Sequence, residues 1–322
     1  MKSKRFWLLT GMGILLAFLG FNWVAFNHAK RMTQFVPTGD RTKSPEDLST
    51  IEKLPLLIFG ITVPRPQNDQ TPADLGLMHQ IVMIESDQHQ LEGWHIQATK
   101  APSLGTVILL HGYSASKTQL LTETLAIHEM GYDALLVDFR GSGGSTGNET
   151  TIGYAEAEDV AAAFQFTVDQ NLPQPVFLYG VSMGGAAVMR AVATTEIEPN
   201  GIIVEAVFDE MLTTVENRFD TMGVPAFPAA QLLVFWGGVQ HGFNGFEHNP
   251  ADYAEQIEVP VLMLHGSNDP RATLAEGQHI FDRLAAEQKT IIIFDGAEHE
   301  STIGVDPDLW QQSVRSFLEE TK

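Results

Sequence analysis

The segment GVSMGG at positions 180–185 places Ser182 between Gly180 and Gly184. An apolar run, PVFLY, precedes it, and a run of small residues typical of a helix follows. A strand-to-helix turn this tight leaves no room for side chains two residues either side of the serine, which explains both glycines. The pattern predicts that Ser182 stands above a sheet as a nucleophile for acyl carbonyl groups.

A serine hydroxyl needs a base to take its proton and an acid to orient that base. Two later apolar runs end in suitable side chains: HGSNDP contains Asp269, and DGAEHE contains His299. The order Ser182, Asp269, His299 is the order that a strand-turn-helix nucleophile in an open parallel sheet predicts. We expect these three residues to be catalytic, with Glu205 and Asp295 as alternative acids.

Acyl hydrolysis also needs two N–H donors for the oxyanion that develops during attack. One donor is the residue after the nucleophile, here Met183. The other is expected in the loop HGYSAS, which follows the run TVILL, and we assign it to Tyr113. We expect His111 to support this loop and His265 to close its own strand.

A regular alternation of elements surrounds these motifs. Apolar runs that predict buried strands lie at 106–110, 133–138, 175–179, 201–208, 260–264 and 290–294, after an expected antiparallel hairpin at 81–87 and 91–98. Segments compatible with helices lie at 117–130, 153–169, 183–195, 272–287 and 307–320. This alternation predicts an α/β fold, with a mostly parallel sheet and helices on both faces.

The interval 209–249 breaks the alternation after the sixth predicted strand. It is too apolar for a disordered segment and too long for a simple connection, so we expect a cap or lid over a pocket. Its aromatic side chains favour apolar or medium-chain acyl groups as substrates. Four of them are assigned to the pocket or lid: Phe219, Phe227, Phe235 and Trp236.

Five motifs, HGYSAS, DFRGSGGSTG, GVSMGG, HGSNDP and GAEHE, occur in this order with ordinary spacings. Over about residues 80–320 the chain therefore resembles an α/β-hydrolase of the serine aminopeptidase-like or esterase-like branch. The resemblance implies hydrolysis of an ester, amide or similar acyl bond without metal or cofactor, and a mobile cap after the sixth strand. The HGGG run of many lipases is missing from the oxyanion loop. Acyl transfer to an alcohol or amine is an alternative, and so is an inactive membrane-tethered binding module.

The stretch from Phe6 to Phe26 carries no formal charge and would form about 31 Å of helix, enough to cross a hydrocarbon core of roughly 30 Å. We expect a single-pass membrane anchor at 1–31, a linker or clasp at 32–80 and a hydrolase domain at 81–322. A cleaved signal peptide and a buried helix are the alternatives. Basic residues flank both ends of the stretch, so the positive-inside rule gives little asymmetry; we favour a body on the non-cytoplasmic side.

The excess of acidic over basic residues limits the kinds of molecule that the protein can bind. Residues 1–31 hold five basic and no acidic residues, and the rest of the chain holds 14 basic and 40 acidic residues, a net charge of −26. Such a body repels phosphates, which excludes nucleic-acid binding and disfavours anionic substrates. The chain has no cysteine, and its histidines show no metal-ligand spacing. We therefore expect a small-molecule or lipid-like acyl substrate, with neither cofactor nor metal.

Overall fold

The computed structural model describes residues 2–43, 48–99 and 101–321. Its centre is one sheet of eight strands: β1 (Gln80–Ser86), β2 (His89–Ile96), β3 (Thr106–Leu110), β4 (Asp133–Val137), β5 (Val176–Val181), β6 (Gly201–Glu205), β7 (Val261–Gly266) and β8 (Lys289–Phe294). The helices are α1 (Lys2–Thr33), α2 (Thr50–Phe59), α3 (Leu121–Met130), α4 (Glu156–Asp169), α5 (Met183–Thr194), α6 (Met211–Met222), α7 (Ala229–His241), α8 (Pro250–Ala254), α9 (Leu274–Arg283), α10 (Thr302–Val305) and α11 (Pro307–Glu320).

The strands are ordered β1-β2-β4-β3-β5-β6-β7-β8. The pairs β1–β2 and β2–β4 are antiparallel, and all other neighbours are parallel. The register sets Leu110 opposite Gly180, so the carboxyl ends of β3 and β5 meet at one edge of the sheet. This arrangement confirms the predicted α/β fold with a mostly parallel sheet.

Two apolar cores cover the two faces of the sheet. On β3, Ile108 and Leu110 face a core that also contains α4, α5, α8 and α9, whereas Val107 and Leu109 face a core that contains α3 and α11. Because successive strand side chains point to opposite faces, a continuous apolar run supplies both cores at once.

Some predicted elements are longer than the observed ones. The run 201–208 predicts one strand, but β6 ends at Glu205 because the backbone turns at Ala206, where φ is +52°. The predicted helix at 117–130 begins as a 3-10 turn and becomes α3 only at Leu121. The predicted helix at 272–287 is shortened to α9, which a capping box at Thr273 begins.

The segment before β1 lies against the loop that follows β4. Val36 pairs with Pro64 in an isolated bridge, and an Arg65 guanidinium nitrogen donates to the carbonyl of Gly147 at 2.6 Å. Asn68 reaches the same loop through a hydrogen bond of 2.9 Å to the Asp138 carboxylate. The described part of the segment is thus joined to the body at several points and contains α2.

The glycine-rich loop after β4 surrounds a buried carboxylate. Asp138 accepts hydrogen bonds from the backbone N–H groups of Lys117 at 2.8 Å and Gly144 at 2.9 Å, and the Lys117 ammonium also contacts it. A Cβ atom on Gly143 would lie 1.9 Å from the Asp138 carboxylate. Gly143 is therefore needed for close packing around Asp138, which links the loop to the segment that follows β3.

Helix α1 has two parts with different surroundings. Residues 6–21 are exposed, whereas burial begins at Asn22 and includes Ala25, Ala29 and Thr33. The second part packs against α7. Among the described residues one helix, Phe6–Thr33, is long and apolar enough to cross a membrane.

Candidate active site

Ser182 occupies the turn between β5 and α5. Its φ of +52° and ψ of −114° form a strained conformation for a residue with a side chain, held by a 2.7 Å hydrogen bond from its N–H to the Glu205 carbonyl. A Cβ atom on Gly180 would lie 2.5 Å from the Gly184 carbonyl oxygen, and one on Gly184 would lie 2.3 Å from that of Leu110. Both predicted glycines are therefore required sterically for the turn that presents the serine.

The structure brings the three residues predicted as catalytic into one hydrogen-bonded row. His299, in the loop after β8, places Nε2 3.1 Å from the Ser182 hydroxyl oxygen. Its Nδ1 lies 2.7 Å from a carboxylate oxygen of Asp269, which follows β7. When Nδ1–H donates to Asp269, Nε2 is left as an acceptor facing Ser182.

Asp269 is buried and held at both oxygens. The oxygen that does not contact His299 accepts from the backbone N–H groups of Arg271 at 2.8 Å and Ala272 at 3.0 Å. Burial alone would raise the pKa of Asp269, but the hydrogen bond and charge of His299 and the two N–H donors lower it below its usual value. The carboxylate therefore stays ionised and fixes the orientation of the imidazole.

The two alternative acids lie elsewhere. Glu205 accepts from the Thr302 backbone N–H at 2.7 Å and contacts the Tyr179 hydroxyl, and its burial raises its pKa. Asp295 is exposed, and its carboxylate lies 3.4 Å from the Ser267 hydroxyl. Of the three acids, Asp269 is the one whose hydrogen bond to His299 the structure describes.

The loop after β3 is held in shape from inside the protein. His111 is buried, with Nδ1 2.9 Å from the Gly112 carbonyl and Nε2 accepting from the Phe139 N–H at 3.1 Å. Burial lowers the pKa of His111, so it stays neutral and bridges the two loops. The side chain of Gln119 accepts from the Gly112 N–H at 2.9 Å, an interaction that the sequence analysis did not identify.

Tyr113 and Met183, the predicted oxyanion donors, both line the same cavity as Ser182. Met183 is the first residue of α5, so its N–H has no acceptor within that helix. The Tyr113 hydroxyl donates to the Met32 carbonyl at 2.6 Å. The loop that contains Tyr113 is thereby tied to α1.

A cavity of about 1040 Å³ lies above Ser182 and His299. Helix α1 supplies one wall, including Val24, and the segment 209–249 supplies another, including Phe219 and Phe227. That segment contains α6 and α7.

Two of the four aromatic residues predicted for the pocket or lid do not line this cavity. The Trp236 ring packs edge-on against Phe26 at 5.4 Å, and its indole N–H donates to Asn22. Phe235 is exposed beside it. These two side chains lie on α7, outside the pocket wall, because the other side of α7 faces the body.

The charge of the cavity wall differs from that of the whole protein. Four cationic side chains line it, Arg41, Lys43, Arg218 and Arg271, against two carboxylates, Asp69 and Glu300. A guanidinium nitrogen of Arg41 bonds to the Ser114 hydroxyl at 2.5 Å. The net charge of −21 therefore does not describe the electrostatic surroundings of a bound substrate. Across the described ranges no group of three or more His, Asp or Glu side chains could hold a metal ion.

Comparisons with known proteins identify the family and the fold. The family described as "Serine aminopeptidase, S33" matches residues 101–218 and 248–306. An esterase of Pyrococcus furiosus superposes with a TM-score of 0.68 at 25% identity, covering 80% of this chain and 96% of that one. The uncharacterized protein YqkD of Bacillus subtilis is 23% identical over 72% of this chain and 76% of its own length. The lysophosphatidylserine lipase ABHD12 of Xenopus tropicalis is 22% identical over 70% of this chain and 58% of its own length.

The family match covers more than half of the chain, with a gap at 219–247 that contains the end of α6 and all of α7. It confirms the resemblance inferred from the five motifs, and the esterase superposition confirms the fold. The chain belongs to the serine aminopeptidase S33 family and is an α/β-hydrolase of the esterase- or lipase-like kind, a serine hydrolase.

Proposed function

We propose that the protein hydrolyses carboxylic esters through a Ser182–His299–Asp269 triad and an acyl-enzyme intermediate. The observation that carries this proposal is the position of His299, whose two ring nitrogens lie within hydrogen-bonding distance of Ser182 and Asp269. A base so placed can take the serine proton while the carboxylate stabilises the imidazolium that forms.

The reaction proceeds in two halves. His299 Nε2 takes the proton of Ser182 as its Oγ attacks the ester carbonyl, and the N–H groups of Tyr113 and Met183 stabilise the oxyanion. The same imidazolium then protonates the leaving alkoxide, which departs and leaves the acyl group on Ser182. Water, deprotonated by His299, attacks this acyl-enzyme and releases the carboxylic acid.

The cavity supports an acyl substrate with a sizeable apolar part. Its walls contain apolar side chains of α1 and the cap, including Val24, Phe219 and Leu233. The similarity of this chain to the esterase of P. furiosus and to the lipase of X. tropicalis supports an ester, and not an amide, as its substrate. Product analysis with added alcohols or amines separates hydrolysis from acyl transfer.

The apolar N-terminal helix serves as an uncleaved membrane anchor, followed by the clasp at 32–80 and the hydrolase domain with its cap at 209–249. Support comes from the second part of α1, which lines the cavity at His28 and Met32. Removal of the helix as a signal peptide would take away this wall.

A fluorophosphonate probe tests the nucleophile directly. The wild-type protein should be labelled and should hydrolyse p-nitrophenyl butyrate, whereas Ser182→Ala should lose labelling and about 10⁴-fold in kcat/KM. Ser313→Ala is the matched control, because its hydroxyl bonds to Leu309 within α11. Equal labelling of wild type and Ser182→Ala would contradict the assignment, and a wild-type protein that is neither labelled nor active would indicate a binding module.

A further inference from the structure

The uncharged exposed part of α1, which begins after the basic residues at the start of the helix, is too short to cross the hydrocarbon core of a bilayer by itself. Residues 6–21 project from the body and give about 24 Å of helix at about 1.5 Å per residue. A hydrocarbon core is roughly 30 Å thick. A membrane-spanning α1 must therefore bring about four further residues, beginning at Asn22, below the membrane surface.

Those further residues are packed against α7. The indole N–H of Trp236 donates to the Asn22 side chain at 3.2 Å, and the Gln240 side-chain amide donates to the Phe26 carbonyl at 2.9 Å. Both helices advance by four residues between these two contacts, so they run side by side in the same direction. Immersion of the second part of α1 therefore takes α7 with it.

The outer surface of α7 has exposed apolar side chains, which immersion in a membrane requires. Phe235 and Val239 lie four residues apart on one stripe, next to the stripe of Trp236 and Gln240 that contacts α1. They are 46% and 53% exposed, and Phe227, just before α7, is 77% exposed. Apolar side chains clustered in this way are costly in water and favourable at a membrane interface.

Helix α2 lies beside the second part of α1. Its C-terminal end contacts α1, because Gly60 lies beside Arg31 and His28, and the Lys53 ammonium donates to the Thr221 carbonyl at the end of α6. On α2, Ile51 and Phe59 are exposed. Phe59 is next to Gly60 and so lies beside Arg31, farther along α1 than the contacts of Asn22 and Phe26 with α7. We therefore define the interfacial surface by Phe227, Phe235 and Val239, the exposed apolar side chains on and just before α7.

The active-site cavity reaches this surface. Its lining runs from Ser182 and His299 to Phe21, the last residue of the projecting part of α1, and to the exposed Phe227. The far end of the cavity therefore lies at the depth where α1 would enter the hydrocarbon core.

We propose that the interfacial surface is immersed in one leaflet and that the substrate is a bilayer-resident acyl ester, which enters the cavity between α1 and the cap directly from the membrane. The identity of the substrate rests on the proposed esterase function, whereas the immersion does not. Immersion by about 6 Å makes up the difference between the projecting part of α1 and the thickness of the hydrocarbon core. It also agrees with the depth at which interfacial helices lie, about 5–10 Å.

The absence of cysteine allows the immersion to be measured with a single spin label. Val239→Cys carries the label in the full-length protein reconstituted in phosphatidylcholine vesicles. Val168→Cys is the matched control, a valine 46% exposed near the end of α4. We expect the label at 239 to be accessible to oxygen and shielded from a water-soluble nickel chelate, and the label at 168 to show the reverse. Equal access of the nickel chelate to both labels would overturn the proposal.

Lysine substitutions test the route of the substrate. We expect Val239→Lys to lower hydrolysis of a long-chain ester embedded in vesicles by about fivefold or more, because a charge resists immersion. Hydrolysis of soluble p-nitrophenyl butyrate should be unchanged, and Val168→Lys should leave both rates unchanged. A Val239→Lys protein that retains the full rate on the embedded ester would overturn entry from the membrane. A wild-type protein inactive on both the embedded and the soluble ester would instead overturn the proposed function, while the label still reports immersion.

Discussion

The indole N–H of Trp236 in the cap donates to the side chain of Asn22 in the N-terminal helix at 3.2 Å, joining positions 214 residues apart. This contact holds α1 beside α7 and completes one wall of the cavity above Ser182. The helix therefore has a structural role in the site besides any role in the membrane.

Two truncations separate those roles. A chain that begins at residue 22 keeps the packed part of α1, and we expect it to hydrolyse p-nitrophenyl butyrate within about threefold of the wild-type kcat/KM. A chain that begins at residue 34 loses the buried Ala25, Ala29 and Thr33 and the Met32 carbonyl that accepts from Tyr113. Its free energy of unfolding should fall by roughly 3 kcal/mol or more. Urea denaturation and steady-state kinetics measure both effects, and equal stability of the two chains would contradict this role of α1.

Asp269→Asn should lower kcat by about 10⁴-fold, because an amide in this position no longer selects the His299 tautomer that accepts the serine proton. The fold should persist, since the side-chain shape is unchanged. Asp295→Asn is the control, because the exposed Asp295 has its described side-chain contact with Ser267. The measurement is kcat on a soluble ester for both variants. A large decrease in kcat for Asp295→Asn with little decrease for Asp269→Asn would reverse the assignment of the acid.

Gly184→Ala should destabilise the protein by about 3 kcal/mol and impair activity, because the new Cβ would overlap the Leu110 carbonyl at 2.3 Å. Gly237→Ala in α7 is the matched control. A Cβ atom there would meet nothing within 4 Å, and alanine should raise the free energy of unfolding by about 0.5–1 kcal/mol through its higher helix propensity. Thermal or urea denaturation of both variants tests the pair, and similar effects of the two substitutions would contradict the steric argument.

Glu123 predicts a pH dependence of stability. Burial, and then the nearby Glu205 carboxylate, raise its pKa from 4.5 to about 7. Between these values the unfolded chain releases the proton first, so the free energy of unfolding should fall by about 2 kcal/mol as pH rises from 4.5 to 7. Glu123→Gln should remove this decrease, and its stability relative to wild type should grow with pH. Glu129→Gln, exposed on the same helix, is the control; identical pH profiles of wild type and Glu123→Gln in urea denaturation would contradict the prediction.

The sequence by itself determined the sheet and predicted the candidate catalytic residues at its edge. Apolar β-branched runs predict strands because such side chains fill both faces of a parallel sheet, and β3 has the predicted bounds, Thr106–Leu110. The glycines around Ser182 predict the turn because only they fit it. Strand ends also suggested both Asp269 and Asp295, and the packing of the loops placed Asp269 against His299. A local sequence pattern predicts the backbone conformation. It does not predict whether His299 contacts Asp295 or Asp269, which is distant from it in the sequence.

Only the tertiary structure decided what surrounds the site. No local spacing relates Trp236 to Asn22, so the pattern of the cap could assign its aromatic residues to a pocket but could not place them against α1. The net charge disfavoured anionic substrates, yet Arg41, Arg218 and Arg271 line the cavity. Composition sums charges over the whole chain, whereas a bound molecule experiences the few groups that folding brings within reach of it.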